Sequence, residues 1–240
     1  MSTLQGLKVV IVGAGTGMGR ATAESLAAEG AEVLIGGRRK KVLDEVAEGT
    51  TIRTKSIDVA DRENTNAFFQ WAHEELGHID VMMNAAGINI KNRSMAEMDP
   101  EQWDQVLAIN ATGAYNCLRA VLPDMRERKD GFIINVTSVA GKRAIALGGI
   151  AYSASKFAMT SLGTCVANEV AEDGVRITNV YPGEVNTPLL EQRPAPVSDE
   201  HKQRILQPEH VAAAMVSLIK LPKEVHIPEL VIKPLSQGWY

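Results

Sequence analysis

Short runs rich in Val and Ile recur along the chain, separated by longer stretches whose apolar positions return every three or four residues. The runs KVVIV (8–12), EVLIG (32–36), VMMN (81–84), FIINV (132–136) and RITNV (176–180) read as strands. TIRTKSID (51–58) is a weaker strand, and LVIK (230–233) closes the set. Helices are predicted over Arg20–Glu29, Lys40–Glu48, Arg62–Leu76, Glu101–Arg128, Ala151–Glu172 and Pro208–Lys220. The strands are continuous apolar runs rather than alternating ones, the pattern of strands covered on both faces. Strand and helix alternate, so an α/β fold is expected: a parallel sheet with helices on both sides. At 240 residues this fits one domain. The polar stretch PLLEQRPAPVSDEHKQRILQP (188–208), with Pro188, Pro194, Pro196 and Pro208, takes neither pattern. An irregular insertion of that length in a compact domain reads as a lid or binding loop.

Between the first strand and the first helix lies Gly13-Ala-Gly-Thr-Gly-Met-Gly19. Glycines make such a turn tight, let a ligand approach the backbone, and let helix pack on strand. The helix start then offers unpaired N–H groups and the positive end of its dipole, which suits a pyrophosphate. The spacing is not GxGxxG, and no Lys-Ser/Thr follows as in a P-loop.

Composition narrows the partners. A net charge of −4 and a pI near 5.8 argue against a nucleic-acid binder. No apolar run approaches the roughly 18–20 residues that span a bilayer, and no membrane partner is expected. No charged segment followed by a long apolar stretch opens the chain, so no signal peptide is expected. Cys117 and Cys165 sit in apolar helical contexts and read as core residues in a reducing, cytoplasmic setting. His73, His78, His201, His210 and His226 are scattered, so no metal site is expected.

Further motifs follow in order. NAAG (84–87) comes after the fourth strand. Asn110 lies in the long helix after WDQVLAI. Ser138 sits in NVTSVAG after the fifth strand, YSASK (152–156) opens a helix, and YPGEVNT (181–187) follows the sixth strand. With the glycine turn, this set resembles the short-chain dehydrogenase/reductase family over essentially the whole chain. The resemblance implies a single-domain, Rossmann-like, doubly wound parallel sheet of about seven strands across residues 1–240, with 188–207 as the substrate loop. It implies an NADP(H)- or NAD(H)-dependent oxidoreductase that interconverts a carbonyl and an alcohol on a small molecule, and a homodimer or homotetramer. It also implies that the cofactor lies against Gly13, Gly15, Thr16, Gly17, Met18, Gly19, Asp58, Val59, Asn84, Ala85, Gly87, Pro182, Gly183, Val185 and Thr187. Asp58 is placed at the adenine ring and Thr187 at the carboxamide.

Tyr152 and Lys156 are four apart on a predicted helix and share a face. An ammonium beside a phenol favours the phenolate and draws its pKa down from about 10, as acid–base work near neutral pH requires. By resemblance, Tyr152 is the proton donor and Lys156 also holds the nicotinamide ribose. Ser138 bonds the substrate oxygen, and Asn110 holds a water that links Lys156 to solvent. The second strand ends in VLIGGRRKK, with no carboxylate for an adenine-ribose diol. Arg38, and next Arg39, are suited to a 2′-phosphate, so NADP(H) is expected over NAD(H).

Three departures from the family pattern stand out. NNAG is NAAG here, Val12 replaces the Thr before the first glycine, and Ser138 and Tyr152 are 14 apart, about one more than expected. The loop between them is therefore expected to bulge. Substrate walls are expected from Ile88–Met95, Lys142–Ile150, Glu184 and the 188–207 loop. Leu189, Leu190 and Ile205 suit an apolar substrate, whereas Lys142, Arg143 and Arg193 suit an anionic one. Ala114, Cys117, Leu118, Val121, Phe157, Ala158, Leu162 and Val166 suit either a subunit face or a face covering the sheet. A non-catalytic NADP-binding regulatory protein with this fold is the alternative reading, disfavoured by the intact Ser138, Tyr152 and Lys156.

Overall fold

A computed structural model describes residues 4–238. All the predicted strands form: β1 (Lys8–Val12), β2 (Glu32–Gly37), β3 (Arg53–Ser56), β4 (Val81–Asn84), β5 (Gly131–Val136), β6 (Val175–Pro182) and β7 (Glu229–Ile232). They build one parallel sheet in the order β3-β2-β1-β4-β5-β6-β7. The order reverses between β1 and β4. In such sheets the crevice beyond the carboxyl ends of the strands at that switch point takes the ligand.

Alternate strand residues feed two cores. Val9, Ile11, Val33, Ile35, Met83 and Ile134 pack on the side of α1 (Gly17–Ala28), α2 (Lys40–Ala47) and α8 (Pro208–Ile219). Val10, Leu34, Met82, Ile133 and Ile177 face α3 (Arg62–Leu76), α5 (Gly113–Arg128) and α6 (Ile150–Glu169). Across three neighbouring strands, β4, β5 and β6, Asn84, Asn135 and Asn179 stand in register, all buried. Gly163 brings α6 down onto this polar row: a Cβ there would lie 2.2 Å from Asn179 Oδ1. The close approach seats the helix that carries Tyr152 and Lys156.

The long helix expected over Glu101–Arg128 is divided. After α4 (Pro100–Leu107) come five residues of π-helix, Ala108–Thr112, before α5 begins. The stretch 188–208 is not wholly irregular: it holds a 3₁₀ turn, Pro188–Gln192, and α7 (Asp199–Arg204), capped by Ser198 Oγ. Leu206 bridges back to Val185, parallel to it. The reading of both cysteines as core residues needs correcting. Cys117 is buried on α5, which pushes its thiol up to about 12, but Cys165 is exposed on the solvent face of α6. Of the small apolar positions, Ala114, Cys117, Leu118 and Val121 are buried, Leu162 and Val166 are partly buried against the same core, and Phe157 and Ala158 are exposed.

Candidate active site

The switch point opens into a cavity of about 530 Å³, lined by the glycine turn, Arg38, Arg39, Asp58, Val59, Ala85, Gly87, Tyr152, Lys156 and Thr187. Gly13 carries φ +84°, and a Cβ there would lie 2.4 Å from Ala86 N, so the turn presses directly on the chain leaving β4. Gly19 in turn sits against the Gly13 carbonyl, at 2.5 Å from its own would-be Cβ. These glycines therefore serve backbone-to-backbone packing within the protein, and that packing shapes the cavity floor. α1 starts at Gly17, earlier than its sequence pattern suggests, with no side-chain cap from Thr16 and no acidic residue in its first turn. Its first amides thus remain available to an anion. Arg38 is exposed at the rim, and Arg39 precedes the first turn of α2 with no side-chain capping bond. Lys40 is tied instead to Asp44 and Thr54. Asp58 turns a carboxylate oxygen onto Ala60 N at 3.0 Å, which fixes the loop after β3.

A second cavity, of about 120 Å³, adjoins the first. Its lining includes Arg93, Ser138, Ile145, Leu147, Tyr152, Pro182, Gly183, Glu184, Val185, Leu189, Leu190, Arg193 and Gln237. Tyr152 lines both cavities. Its phenol is hydrogen-bonded to Ser138, and Lys156 Nζ stands 5.7 Å from the centre of its ring. Lys156 Nζ donates to Val136 O at 3.0 Å, and burial holds its ammonium down at about 8. Burial raises the Tyr152 phenol above its ordinary value, while the Ser138 hydrogen bond and the positive charge of Arg93 oppose that rise. The expected tuning of Tyr152 by Lys156 is thus corrected: burial dominates, and the opposing groups are Ser138 and Arg93.

Asn110 lies in the π turn, fully buried. Its amide clasps Ile88, accepting from N at 2.8 Å and donating to O at 2.9 Å, and it also donates to Ser155 Oγ at 3.0 Å. A Cβ on Gly87 would reach Lys156 Nζ at 3.3 Å and Asn110 Oδ1 at 3.5 Å, so the two side chains face each other across that glycine.

Most of the expected site residues converge, but not all at one place. Asn84 is buried in the polar row, with neither of its side-chain polar atoms hydrogen-bonded. Pro182, Gly183 and Val185 line the second cavity rather than the first. Lys142 pairs with Glu229 and sits over the Tyr181 ring, outside both linings. Ile205 is buried away from both. Between Ser138 and Tyr152 the chain makes a 3₁₀ turn (Val139–Gly141), then a turn in which Gly148 N and Gly149 N bond Ile145 O. Arg93 falls in the expected wall segment Ile88–Met95 but was not singled out within it, and Gln237 reaches the second cavity from near the end of the chain without any local signal. Among the described residues no three metal-ligating side chains cluster, and no helix is long and apolar enough to cross a membrane.

The sequence profile of the short chain dehydrogenases matches residues 7–197. The chain belongs to this family. This short-chain dehydrogenase is 32% identical over 241 residues to an uncharacterized oxidoreductase of Staphylococcus saprophyticus, covering 98% of this chain and 100% of the relative. Among solved structures, a serine dehydrogenase complexed with NADP+ superposes with a TM-score of 0.88 at 28% identity, covering 96% of each chain. An alcohol dehydrogenase of Thermococcus sibiricus complexed with 5-hydroxy-NADP gives 0.85 at 28% identity, covering 97% of this short-chain dehydrogenase and 98% of its own chain.

Proposed function

We propose that the protein is an NADP(H)-dependent oxidoreductase that interconverts a carbonyl and an alcohol on a small molecule. The observation that carries the reading is Tyr152 at the junction of two cavities, bonded to Ser138 and flanked by Lys156. The first cavity is sized and lined for a dinucleotide: uncapped amides of α1 for the pyrophosphate, Asp58 and Val59 for the adenine end, Thr187 and Lys156 for the nicotinamide end. Arg38 and Arg39 at the rim favour a 2′-phosphate, whose charge the missing carboxylate would otherwise repel. The relatives solved with NADP+ and 5-hydroxy-NADP support the same choice.

A bound nicotinamide supplies or accepts the hydride. Ser138 holds the substrate oxygen against Tyr152 Oη, which gives its proton to that oxygen in reduction and takes it back in oxidation. Lys156 then restores the phenol's proton, and the gap kept open by Gly87 between Lys156 and Asn110 is suited to a water that passes it on. A binding-only protein has no use for an ammonium buried at a cost to stability. The second cavity, with both Leu189 and Arg193 in its lining, is the place for the substrate. Residues 188–207 form its lid and the whole chain one catalytic domain, which acts as a homodimer or homotetramer in the cytoplasm.

The test is Tyr152→Phe, assayed by NADPH absorbance over a panel of small aldehydes, ketones and keto acids. Turnover should fall by about 10²–10⁴-fold while NADPH binding, followed by its fluorescence, stays near the wild-type value. Retention of most of the activity would remove Tyr152 as the proton donor.

A further inference from the structure

Arg93 lies outside every motif in the sequence, yet its guanidinium is spread over three backbone carbonyls from three segments. Nε donates to Ile90 O at 2.6 Å, Nη1 to Leu147 O, and Nη2 to Gln192 O at 2.7 Å. The last two partners are 54 and 99 residues away along the chain. Its own carbonyl accepts from Ile150 N at 3.4 Å, the first residue of α6. Gly149 has φ +81°, and a Cβ there would lie 2.5 Å from Arg93 Cβ, so the chain is pressed onto this side chain. One residue therefore joins the wall after β4, the wall before α6, the 3₁₀ turn of the 188–208 excursion, and the start of the helix bearing Tyr152.

We propose that Arg93 is a positioning residue for the reaction: it clamps the walls of the substrate cavity together and keeps a permanent positive charge in the lining that it shares with Tyr152. The inference rests on the reading of Tyr152 as the acid–base residue. A guanidinium suits both tasks, because its planar fork offers five donors and it stays ionised throughout the working pH range. The other charged groups around Tyr152 are accounted for. On its own helix, Lys156 stands 5.7 Å from the ring, with its ammonium weakened by burial. Across the second cavity, Glu184 is matched by Arg193 at 2.9 Å and by His201 at 2.7 Å. From the end of β5, Ser138 contributes a neutral hydroxyl. In the first cavity Glu191 and Asp58 lie in the lining, with Arg38 and Arg39 at its far rim. Arg93 is thus the cation fixed in place, by three bonds, on the substrate side of the phenol.

The two tasks are separable because they move Tyr152 in opposite directions. Removing the charge destabilises the phenolate and raises the phenol's pKa, whereas loosened walls admit water and lower it. The experiment titrates tyrosinate absorbance in the full-length, cofactor-free protein, taking each spectrum as the difference from the matching Tyr152→Phe background. Arg93→Gln should raise the Tyr152 midpoint by about one to two pH units. Arg93→Lys, which keeps the charge but not the fork, should leave the midpoint at or below the wild-type value, since only the loosened walls act on it. Both variants should speed amide hydrogen exchange across residues 188–193 by about tenfold, a loss of roughly one hydrogen bond's stabilisation. A midpoint in Arg93→Gln no higher than that in Arg93→Lys, which shares the loss of the fork, overturns the electrostatic role. Wild-type exchange in both variants overturns the clamp. NADPH binding serves as the folding control, and should Arg93→Gln not fold, Arg93→Met is read by the same criteria. None of these readouts uses turnover, so they fail independently of the Tyr152→Phe test.

Discussion

The two cavities that meet at Tyr152 are built in different ways. The first is walled largely by backbone: the glycine turn, the uncapped start of α1 and the chain leaving β4 lie within contact of one another, and little depends on long side chains. The second is held by side chains that reach across the fold: Arg93 to Leu147 and Gln192, Arg193 and His201 to Glu184, and Gln237 Oε1 to Glu184 N at 2.9 Å. A backbone-walled cavity tolerates almost no added atom. A side-chain-walled one loses its parts one at a time. On the proposed function, the cofactor side is therefore rigid and general, while the substrate side is adjustable.

The most severe break of that contrast comes from one methyl group. Gly13→Ala places a Cβ 2.4 Å from Ala86 N at a φ of +84°, and should cost about 3 kcal/mol or more. Thermal unfolding should show the loss, and NADPH binding should disappear with it; a wild-type melting temperature would contradict the backbone-wall description. Next in size is the rim. Arg38→Asp should shift the NADPH-to-NADH preference in kcat/KM by about 10- to 100-fold toward NADH, the worth of a charge-assisted hydrogen bond. A wild-type protein that already prefers NADH would void the assignment.

At the junction the expected sign is reversed. Lys156 is 3% exposed and its ammonium is held at about 8, against about 10.4 when unfolded. The unfolded chain binds the extra proton between these values, so wild-type stability rises with pH across that window. Below about pH 8 the full cost of the buried charge is present. Lys156→Met should therefore stabilise the cofactor-free protein by about 2 kcal/mol at pH 7, after allowance for the lost bond to Val136. The gain should vanish at about pH 9.5 and become a loss of about 1 kcal/mol, that of the missing bond to Val136, by about pH 10.5, and turnover should be lost throughout. Denaturant unfolding at several pH values reads this directly; a destabilised variant at pH 7 would be the contrary result.

The smallest effect belongs to the second cavity. Hydrogen bonds from His201 and Arg193 outweigh burial and hold the Glu184 carboxyl below its usual range. This carboxylate therefore stabilises the protein above about pH 4.5, and that contribution fades as pH falls through its lowered folded value. Glu184→Gln should cost about 1 kcal/mol at pH 7 and flatten that acid-side step, with faster exchange confined to residues 188–206.

How much was legible in the sequence follows the same division. The first cavity is a local affair: strand, glycine turn and helix are contiguous, so β1, α1 and the anion-ready turn could be read from residues 8–29. Ser138, Tyr152 and Lys156 stood out only as an ordered set that resembles the family's motifs, each following a strand end or opening a helix. The second cavity was legible only as a set of wall segments. Nothing local in INIKNRSM marks Arg93, since its partners lie 54 and 99 residues downstream. The net state of Tyr152 was also hidden, because helical spacing shows which groups are neighbours but not how deeply they are buried. The exposure of Cys165 was missed for a similar reason: α6 is apolar enough all round that its outer face does not declare itself.

The five-residue turn at Ala108–Thr112 has one further consequence, for how the chain can change length. An ordinary helix rotates by about 100° per residue, so losing one residue between Ala114 and Val121 would swing everything beyond it out of phase with its partners. Losing one inside the wide turn only closes it to regular winding, leaving Val106 on one side and Cys117 on the other facing their present neighbours. The inward reach of Asn110 is in that sense a module one codon long, removable without re-gearing the helices that flank it.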